Sequence, residues 1–451
     1  MSKYDLAIIG GGPAGYVAAE RAGANGLGVV LFEHNELGGV CLNAGCIPTK
    51  TMLNSTRILE EAREAEKFGI SCGETGFDFQ AISRRKKKVV KKLVGGVKAK
   101  MKHHGVEVVT EKATIESAVG GKIAVRAGET GYEADNLLVA TGSEPAVPPI
   151  DGLEQGQVWT SSEALAAEEV PGSLTIIGGG VIGIEFADIF TSLGCKCTVI
   201  EMLDEIIPGI DTDAAVMLRE QMAARSAIFH LSSRVTKLAG KSVMFEKDGE
   251  TLQVDSEQVL LSVGRRPVSD GFGLENLGVE VERGGIKIDA NCRTNRPNVY
   301  AAGDVTGFSL LAHTASREGE VAVNHILGRP DRMRYDAIPG VVYTHPEVAS
   351  VGLTEQAAAE KGIEVQVVKL PMSYAGRFVA ETERKDGFCK VIAGKEHGEI
   401  LGVHMAGGHC SEMIYGACVM IEAELRIRDV REVVFPHPTV SEIIRETVFA
   451  F

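Results

Sequence analysis

Two thiols early in this chain have the spacing for redox chemistry. Cys41 and Cys46 lie in the run Gly-Gly-Val-Cys-Leu-Asn-Ala-Gly-Cys-Ile-Pro-Thr-Lys from Gly38 to Lys50. A disulfide across so short a loop removes only about 2 kcal/mol of unfolded-state entropy, so it would be a poor staple. The chain has 9 cysteines in 451 residues, and Met1-Ser2-Lys3-Tyr4-Asp5 leads straight into an apolar strand with no secretory signal. With no long apolar span either, the expected compartment is the cytoplasm, where disulfides are usually catalytic or redox-sensing. Cys41 and Cys46 are therefore expected to cycle between disulfide and dithiol.

The elements ahead of the pair suggest where its electrons go. Gly10-Gly11-Gly12-Pro13-Ala14-Gly15 follows the apolar run Leu6 to Ile9. That is the strand-turn-helix order that holds a dinucleotide pyrophosphate at a helix N-terminus, with Gly10, Gly12 and Gly15 as its glycines. Eighteen residues beyond Gly15, the strand Leu27 to Phe32 ends in Glu33, an acid placed to accept hydrogen bonds from ribose hydroxyls. The whole pattern then recurs. Leu174-Thr175-Ile176-Ile177 precedes a turn carrying Gly178, Gly180 and Gly183, a helix is expected through Leu193, and Cys197-Thr198-Val199-Ile200 ends in Glu201. Two dinucleotide sites in one chain imply electron transfer between two nucleotides, most simply a flavin and a nicotinamide. Glu201 would repel a 2′-phosphate, and the run to Glu205 offers no cation, which favours NAD over NADP.

Bulk properties set limits on the rest. A length of 451 suits about three domains, and 44% hydrophobic content suffices for substantial cores. A net charge of −14 argues against nucleic-acid binding as the main activity and leaves a basic partner open. The basic stretch from Arg84 to His104 has apolar residues at helical spacing, which makes it an amphipathic helix with a solvated face rather than a nucleic-acid or membrane site. Leu137 to Ser143 reads as a strand and turn leaving the first unit, followed by a Pro145, Pro148 and Pro149 linker. Thr294 to Asp304 reads as a strand ending in an acid on a glycine turn, suited to a polar cofactor chain, so the first domain is expected to be split around the second. From about residue 336 the pattern changes to strands near Val341 to Thr344, Glu364 to Leu370 and Phe388 to Ile392, with helices near Glu412 to Glu424. No third fingerprint appears there, which makes this part a candidate for dimerisation. Cys195 and Cys197 have too few neighbouring ligands for a metal site, and none is expected.

Together these segments resemble the flavin-dependent pyridine nucleotide-disulfide oxidoreductases, and within them the branch that oxidises dihydrolipoamide, over nearly the whole chain. The pieces that carry the resemblance are the cysteine run, both fingerprints, Gly264-Arg265-Arg266-Pro267, Tyr300 to Asp304, Tyr343-Thr344-His345-Pro346-Glu347 and His437-Pro438-Thr439-Val440-Ser441-Glu442. The resemblance implies an α/β fold: two Rossmann-like dinucleotide-binding domains, for FAD and NAD, and an α+β C-terminal dimerisation domain. It implies an FAD-binding domain over 1–143, an NAD-binding domain over 144–264, a central domain completing the FAD site over 265–335 and an interface domain over 336–451. The implied activity is oxidation of protein-bound dihydrolipoamide with reduction of NAD+, by a homodimer serving a lipoyl-bearing protein of an oxo-acid dehydrogenase or glycine-cleavage system.

Residue by residue, the resemblance makes Cys46 the flavin-facing thiol and Cys41 the one that exchanges with substrate. Because the thiolate is the reactive form, Cys46 should sit at a helix N-terminus or beside a cation. Lys50 is implied to approach the flavin and pair with Glu185. His437 is implied to be the acid-base, facing the other subunit's Cys41, with Glu442 orienting it. Glu442 also completes a capping-box pattern from Thr439, so a purely helical role competes. Further cofactor contacts are implied at Thr141, Gly142, Gly264, Asp304 and Ala312. Two features depart from the family: Phe435 stands where many members have a second histidine, and Met405 to Cys410 differs from the common pattern. No lipoyl-carrier segment is expected ahead of the first domain. The nearest alternative is an NADPH-dependent reductase of a small disulfide such as glutathione, against which Glu201 argues. A mercuric reductase would use extra C-terminal cysteines, whereas this chain runs to Phe449-Ala450-Phe451. A different class again is a subunit whose main business is docking within such an assembly.

Overall fold

A computed structural model describes residues 2–153, 158–383 and 387–451. These residues form two compact units: the chain up to 51 with 81–146 and 264–334, and 52–80 with 147–263 and 335–451.

In the first unit, β1 (Ser2–Ile9) runs from exposed polar residues into Leu6 to Ile9, all buried. The chain turns at Gly10 into α1 (Pro13–Ala24), which has proline in its first turn and packs through Ala14, Ala18, Ala19 and Ala22. Pro suits that position because its missing N–H has no helical partner there. The return strand β2 (Val29–Phe32) pairs parallel to β1 with Ile9 opposite Phe32. It begins two residues later than the sequence suggests, because the Leu27 N–H is drawn back to the Ala22 carbonyl (3.2 Å) in closing α1. β1 also pairs parallel to Thr130–Val139, and β2 to Glu107–Val109. An antiparallel meander, Ala113–Val119 to Lys122–Ala127 to Thr130–Val139, leads into the last parallel strand. Val299–Ala301 adds alongside Leu137 to Val139, giving seven strands. Their apolar faces, with Phe32, Ile115, Ile123, Leu137 and Val299, form one core.

Three helices carry the chain away from β2: α2 (Gly39–Ala44), α3 (Cys46–Glu64) and α4 (Phe79–His103). As its spacing suggests, α4 buries Val94, Val97 and Met101 and exposes Lys87, Lys88, Lys91 and Lys92.

The second unit repeats the first unit's parallel pattern. Ile228–His230, Lys196–Ile200, Ser173–Ile177 and Gln258–Leu261 lie side by side in that order, with a separate antiparallel meander over residues 234–255. The helix Val181–Ser192 follows the second glycine turn, with Leu193 as its C-cap. The same unit holds a five-stranded antiparallel sheet in the order Gly340–Val342, Glu347–Gly352, Ile400–Gly407, Phe388–Gly394, Val365–Pro371. Helices Cys410–Glu422 and Glu442–Phe449 bury Ile414, Ala417, Ile443 and Ile444 in the core of that sheet. Phe435, at the position of the second family histidine, packs against the same core. Within this unit Lys390 is 5% exposed and bonds Asp211 (3.0 Å), Asp213 (2.7 Å) and Glu355 (2.7 Å). No helix among the described residues is long and apolar enough to cross a membrane.

Candidate active site

Backbone geometry requires glycine at the head of α1. Gly10 has φ +106°, and a Cβ there would lie 2.2 Å from the Ala140 carbonyl oxygen. A Cβ on Gly15 would stand 1.9 Å from the Gly10 oxygen, so strand and helix touch through bare backbone. Gly12, the N-cap, is different: φ is −73°, and the nearest atom to an added Cβ is Gly39 Cα at 3.9 Å. Its neighbourhood is open in front of the N–H groups of the first turn, as an anion-binding cradle requires. Glu33 is 8% exposed, and its two oxygens accept from the N–H groups of Gly11 (2.8 Å) and Asn35 (2.9 Å). The acid thus stiffens the glycine turn while keeping lone pairs for a ribose. Beside it lies a cavity of about 390 Å³ lined by Glu33, Asn35, Met101, Lys102, Val106 and Val108 among others, a mixture of apolar and polar side chains suited to an adenosine.

The second turn has the same construction. Gly178 has φ +104°, and a Cβ on Gly183 would meet the Gly178 oxygen at 2.2 Å, whereas Gly180 has nothing within 4 Å. Glu201, 7% exposed, accepts from Gly179 N–H (2.5 Å) and Leu203 N–H (2.8 Å). Both turns therefore pass the same test: a backbone cradle that a side chain would fill, closed by a buried acid.

Cys41 lies on α2, and Cys46 is the first residue of α3, where the helix dipole favours a thiolate. Both are half-buried and not joined by a disulfide in this structure. Cys41 is pushed far above the ordinary thiol range by its hydrogen bond with Cys46 and then by burial, with Lys50 pulling the other way. One residue that sequence reasoning passed over holds the Cys41 loop: the Asn43 amide donates to the carbonyls of Glu36 (3.3 Å), Leu37 (3.1 Å) and Gly39 (3.0 Å). Its signal was an amide side chain inside a glycine-rich loop between the two cysteines.

Other expected residues of the first unit gather at the ends of its strands. Thr141 donates to the Val268 carbonyl (2.6 Å), Gly142 has φ +74° and Gly264 has φ +115°. Asp304 accepts from the Ser143 hydroxyl (2.5 Å), and Ala312 opens the helix Ala312–Ile326.

Glu185, Glu201, His437 and Glu442 belong to the second unit. Glu185 is 3% exposed and accepts from Tyr343 N–H at 3.1 Å. One helical turn on, buried Asp188, not singled out from sequence, accepts from His345 N–H (3.2 Å) and pairs with Arg225. Burial raises the Asp188 carboxyl above its usual range, and Arg225 opposes the shift. His437 is exposed, with Nδ1 2.9 Å from Glu442 Oε1. Glu442 also accepts from Thr439 N–H (2.9 Å), which, ahead of His437, holds its carboxyl below the usual range. The capping box is only half made, because the Thr439 hydroxyl donates to Pro436 O (2.8 Å) instead of accepting from the helix. Glu442 therefore serves both the chain turn and the imidazole.

Two glycine cradles closed by buried acids, with a hydrogen-bonded thiol pair at a helix start near one of them, define a nucleotide-linked dithiol oxidoreductase. Residues 4–319 match the pyridine nucleotide-disulphide oxidoreductase family and residues 338–448 its dimerisation domain. The chain belongs to that family. It is 39% identical to a dihydrolipoyl dehydrogenase of Bacillus subtilis over 100% of this chain and 98% of the relative. It is 38% identical to a dihydrolipoyl dehydrogenase of Halobacterium salinarum over 98% of this chain and 95% of the relative. Among solved structures, LpdA from Mycobacterium tuberculosis superposes with a TM-score of 0.91 at 27% identity, covering 100% of this chain and 99% of that one. The HOCl-induced flavoprotein disulfide reductase RclA of Escherichia coli gives 0.86 at 27% identity, covering 99% of each. The α/β class with two dinucleotide-binding domains and a dimerisation domain is as the sequence implied.

Proposed function

We propose that this chain is a dihydrolipoyl dehydrogenase, oxidising protein-bound dihydrolipoamide with NAD+ as final acceptor. The observation that carries the reading is the Cys41–Cys46 pair, hydrogen-bonded at the start of α3 in the unit that holds the first cradle. Relatives with the dihydrolipoyl dehydrogenase name along their whole length support it. The working form is a homodimer, in keeping with the dimerisation domain. We assign 1–143 to FAD binding, 144–264 to NAD binding, 265–335 to the central domain and 336–451 to the interface.

In the oxidised enzyme Cys41 and Cys46 are joined. One substrate thiol gives its proton to His437 of the partner subunit, and the resulting thiolate attacks Cys41 Sγ. The Cys41–Cys46 bond breaks, with Cys46 leaving as a thiolate favoured by the α3 N-terminus and by Lys50 nearby. The second substrate thiol, once deprotonated, displaces Cys41 and closes the lipoyl disulfide. Two electrons and one proton then reside on the pair, and one proton has left through the histidine. His437 suits this task because Glu442 holds Nδ1, leaving Nε2 for the substrate proton. Bound FAD supplies the two-electron redox chemistry that couples the thiols to NAD+.

Gly10, Gly12, Gly15, Glu33, Thr141, Gly142, Asp304 and Ala312 would hold the FAD with Lys50 near its ring, and Glu185 is a further cofactor-binding residue of the second unit. Gly178, Gly180, Gly183, Glu201 and Gly264 would hold the nicotinamide dinucleotide. Glu201 favours NAD through its charge at the ribose position. The natural donor is a lipoyl-bearing protein of an oxo-acid dehydrogenase or glycine-cleavage system, in the cytoplasm. A steady-state comparison of NADH and NADPH against lipoamide and glutathione disulfide tests the reading. Preference for NADH with lipoamide is expected, and preference for NADPH with glutathione disulfide would overturn it.

A further inference from the structure

Arg265 has no part in the reaction described above, yet it anchors a hydrogen-bond chain that ends on Asp304. The short strands Ser143–Pro145 and Arg265–Pro267 pair antiparallel, with Arg265 opposite Pro145 and Ser143 opposite Pro267. From this ribbon the half-buried Arg265 guanidinium reaches back. Its Nε donates to Ser143 Oγ (2.7 Å) and its Nη2 to the Ser143 carbonyl (2.6 Å). Ser143, 7% exposed, has a single hydroxyl proton, and it goes to Asp304 Oδ2 at 2.5 Å. Cation, hydroxyl and carboxylate thus form a relay with one self-consistent direction. The turn bearing Asp304 is held from its other side as well, where Gly303 N–H donates to Glu318, a fully buried carboxylate, at 2.6 Å.

Cys46 is among the charged groups that bear on this guanidinium. Burial lowers its affinity for its proton, while the charges of Asp304, Cys46 and Glu144 oppose that loss. Tyr16 from α1 and Lys50 from α3 also bear on the thiol pair, with Cys41 on α2 hydrogen-bonded to Cys46. Arg265 is clamped through two of its nitrogens, and a guanidinium stays charged over the whole working pH range.

We propose that Arg265, acting through Ser143, is a positioning residue of the thiol–flavin site: it locks the Asp304 carboxylate toward the cofactor chain and keeps a fixed cation on the Cys46 side of the pair. The inference rests on the reading of Asp304 as a flavin ligand and Cys46 as the thiolate. Removing the cation weakens flavin binding and makes the Cys46 thiolate harder to form, whereas removing the hydroxyl weakens flavin binding alone.

The test uses the full-length holoenzyme with Arg265→Met, Arg265→Lys and Ser143→Ala, with far-UV circular dichroism as a folding control. Two readouts are taken: FAD dissociation, followed by flavin fluorescence on dilution, and the pH midpoint of the long-wavelength thiolate–flavin absorbance after anaerobic two-electron reduction. Arg265→Met is expected to weaken FAD binding at least about tenfold, the worth of a charge-assisted hydrogen bond, and to raise the midpoint by about one pH unit. Arg265→Lys keeps the charge but loses the fork, so flavin binding weakens while the midpoint stays within a few tenths of wild type. Ser143→Ala is expected to do the same, and it carries the test if Arg265→Met does not fold. Wild-type flavin affinity in Ser143→Ala, or an unmoved midpoint in folded Arg265→Met, overturns the proposal. A wild-type enzyme that binds no flavin would instead bring down the reading of the site on which the proposal stands.

Discussion

Alanine at Gly12 separates the two demands on the first cradle. The Gly12 conformation, φ −73° and ψ −173°, is open to any residue, and an added Cβ comes no closer than 3.9 Å to its neighbours. Such a substitution costs the apoprotein nothing and can add about 0.4–1 kcal/mol by restricting the unfolded chain. In the holoprotein the new methyl occupies space that a pyrophosphate needs to reach the first-turn N–H groups. Losing one such charge-assisted hydrogen bond costs about 1.5–3 kcal/mol, so FAD should bind roughly 10- to 150-fold more weakly. Gly15→Ala is the contrast. Its Cβ would sit 1.9 Å from the Gly10 oxygen, a backbone atom, so strand and helix must move apart at a cost of about 1–3 kcal/mol or more. The assay is a pair of measurements on each variant: melting temperature of the flavin-free protein, and FAD affinity by fluorescence titration. The expected pattern is an apoprotein as stable as wild type with weak flavin binding for Gly12→Ala, and a destabilised apoprotein for Gly15→Ala. Wild-type FAD affinity in Gly12→Ala would refute the placement of the pyrophosphate.

Lys390→Met leaves Asp211, 4% exposed, as a buried charge without its cation. That costs about 3–5 kcal/mol, or roughly 6–20 °C in melting temperature, whereas Lys369→Met, at an ion pair more than 40% exposed on each side, should shift it by no more than a few degrees. Asp331 is held below the usual carboxylate range, chiefly by Arg317. Its contribution to stability is therefore present above the unfolded carboxylate pKa of about 3.9 and lost as pH falls through the lower folded value. The melting-temperature gap between wild type and Asp331→Asn should be constant from about pH 5 to 7 and close below about pH 4. Glu201→Gln removes the charge at the ribose position, so the ratio of kcat/KM for NADH over NADPH should fall at least about tenfold; an unchanged ratio would contradict that role.

Both nucleotide units were legible because the physics is local. A bare-backbone strand–helix contact leaves glycines at set spacing, and the acid that closes each turn ends the next strand, as Glu33 and Glu201 do. The cysteine pair was legible for the same reason. What escaped depends on contacts distant in sequence. Glu347–Gly352 and Ile400–Gly407 are inner strands of the five-stranded sheet, buried along most of their length, so they show no alternation of polar and apolar residues. Buried His404, bonded to Ser350 Oγ (2.9 Å), further masks the second of them. Asp188 joins a helix to a segment 157 residues away, and Ser143 meets Asp304 across 161, separations at which single-sequence patterns are silent. Glu442 was readable as either a cap or an orienter, and only the hydroxyl of Thr439, turned toward Pro436, shows how the two roles share one carboxylate.

The central claim is that Cys41 and Cys46 carry the electrons from the dithiol substrate. The most direct measurement is the steady-state rate of dihydrolipoamide oxidation by NAD+ in the wild type and in Cys46→Ser, each first shown to hold its flavin. Robust turnover in the wild type and its loss in the flavin-loaded variant is the expected result; full activity in Cys46→Ser would contradict the claim.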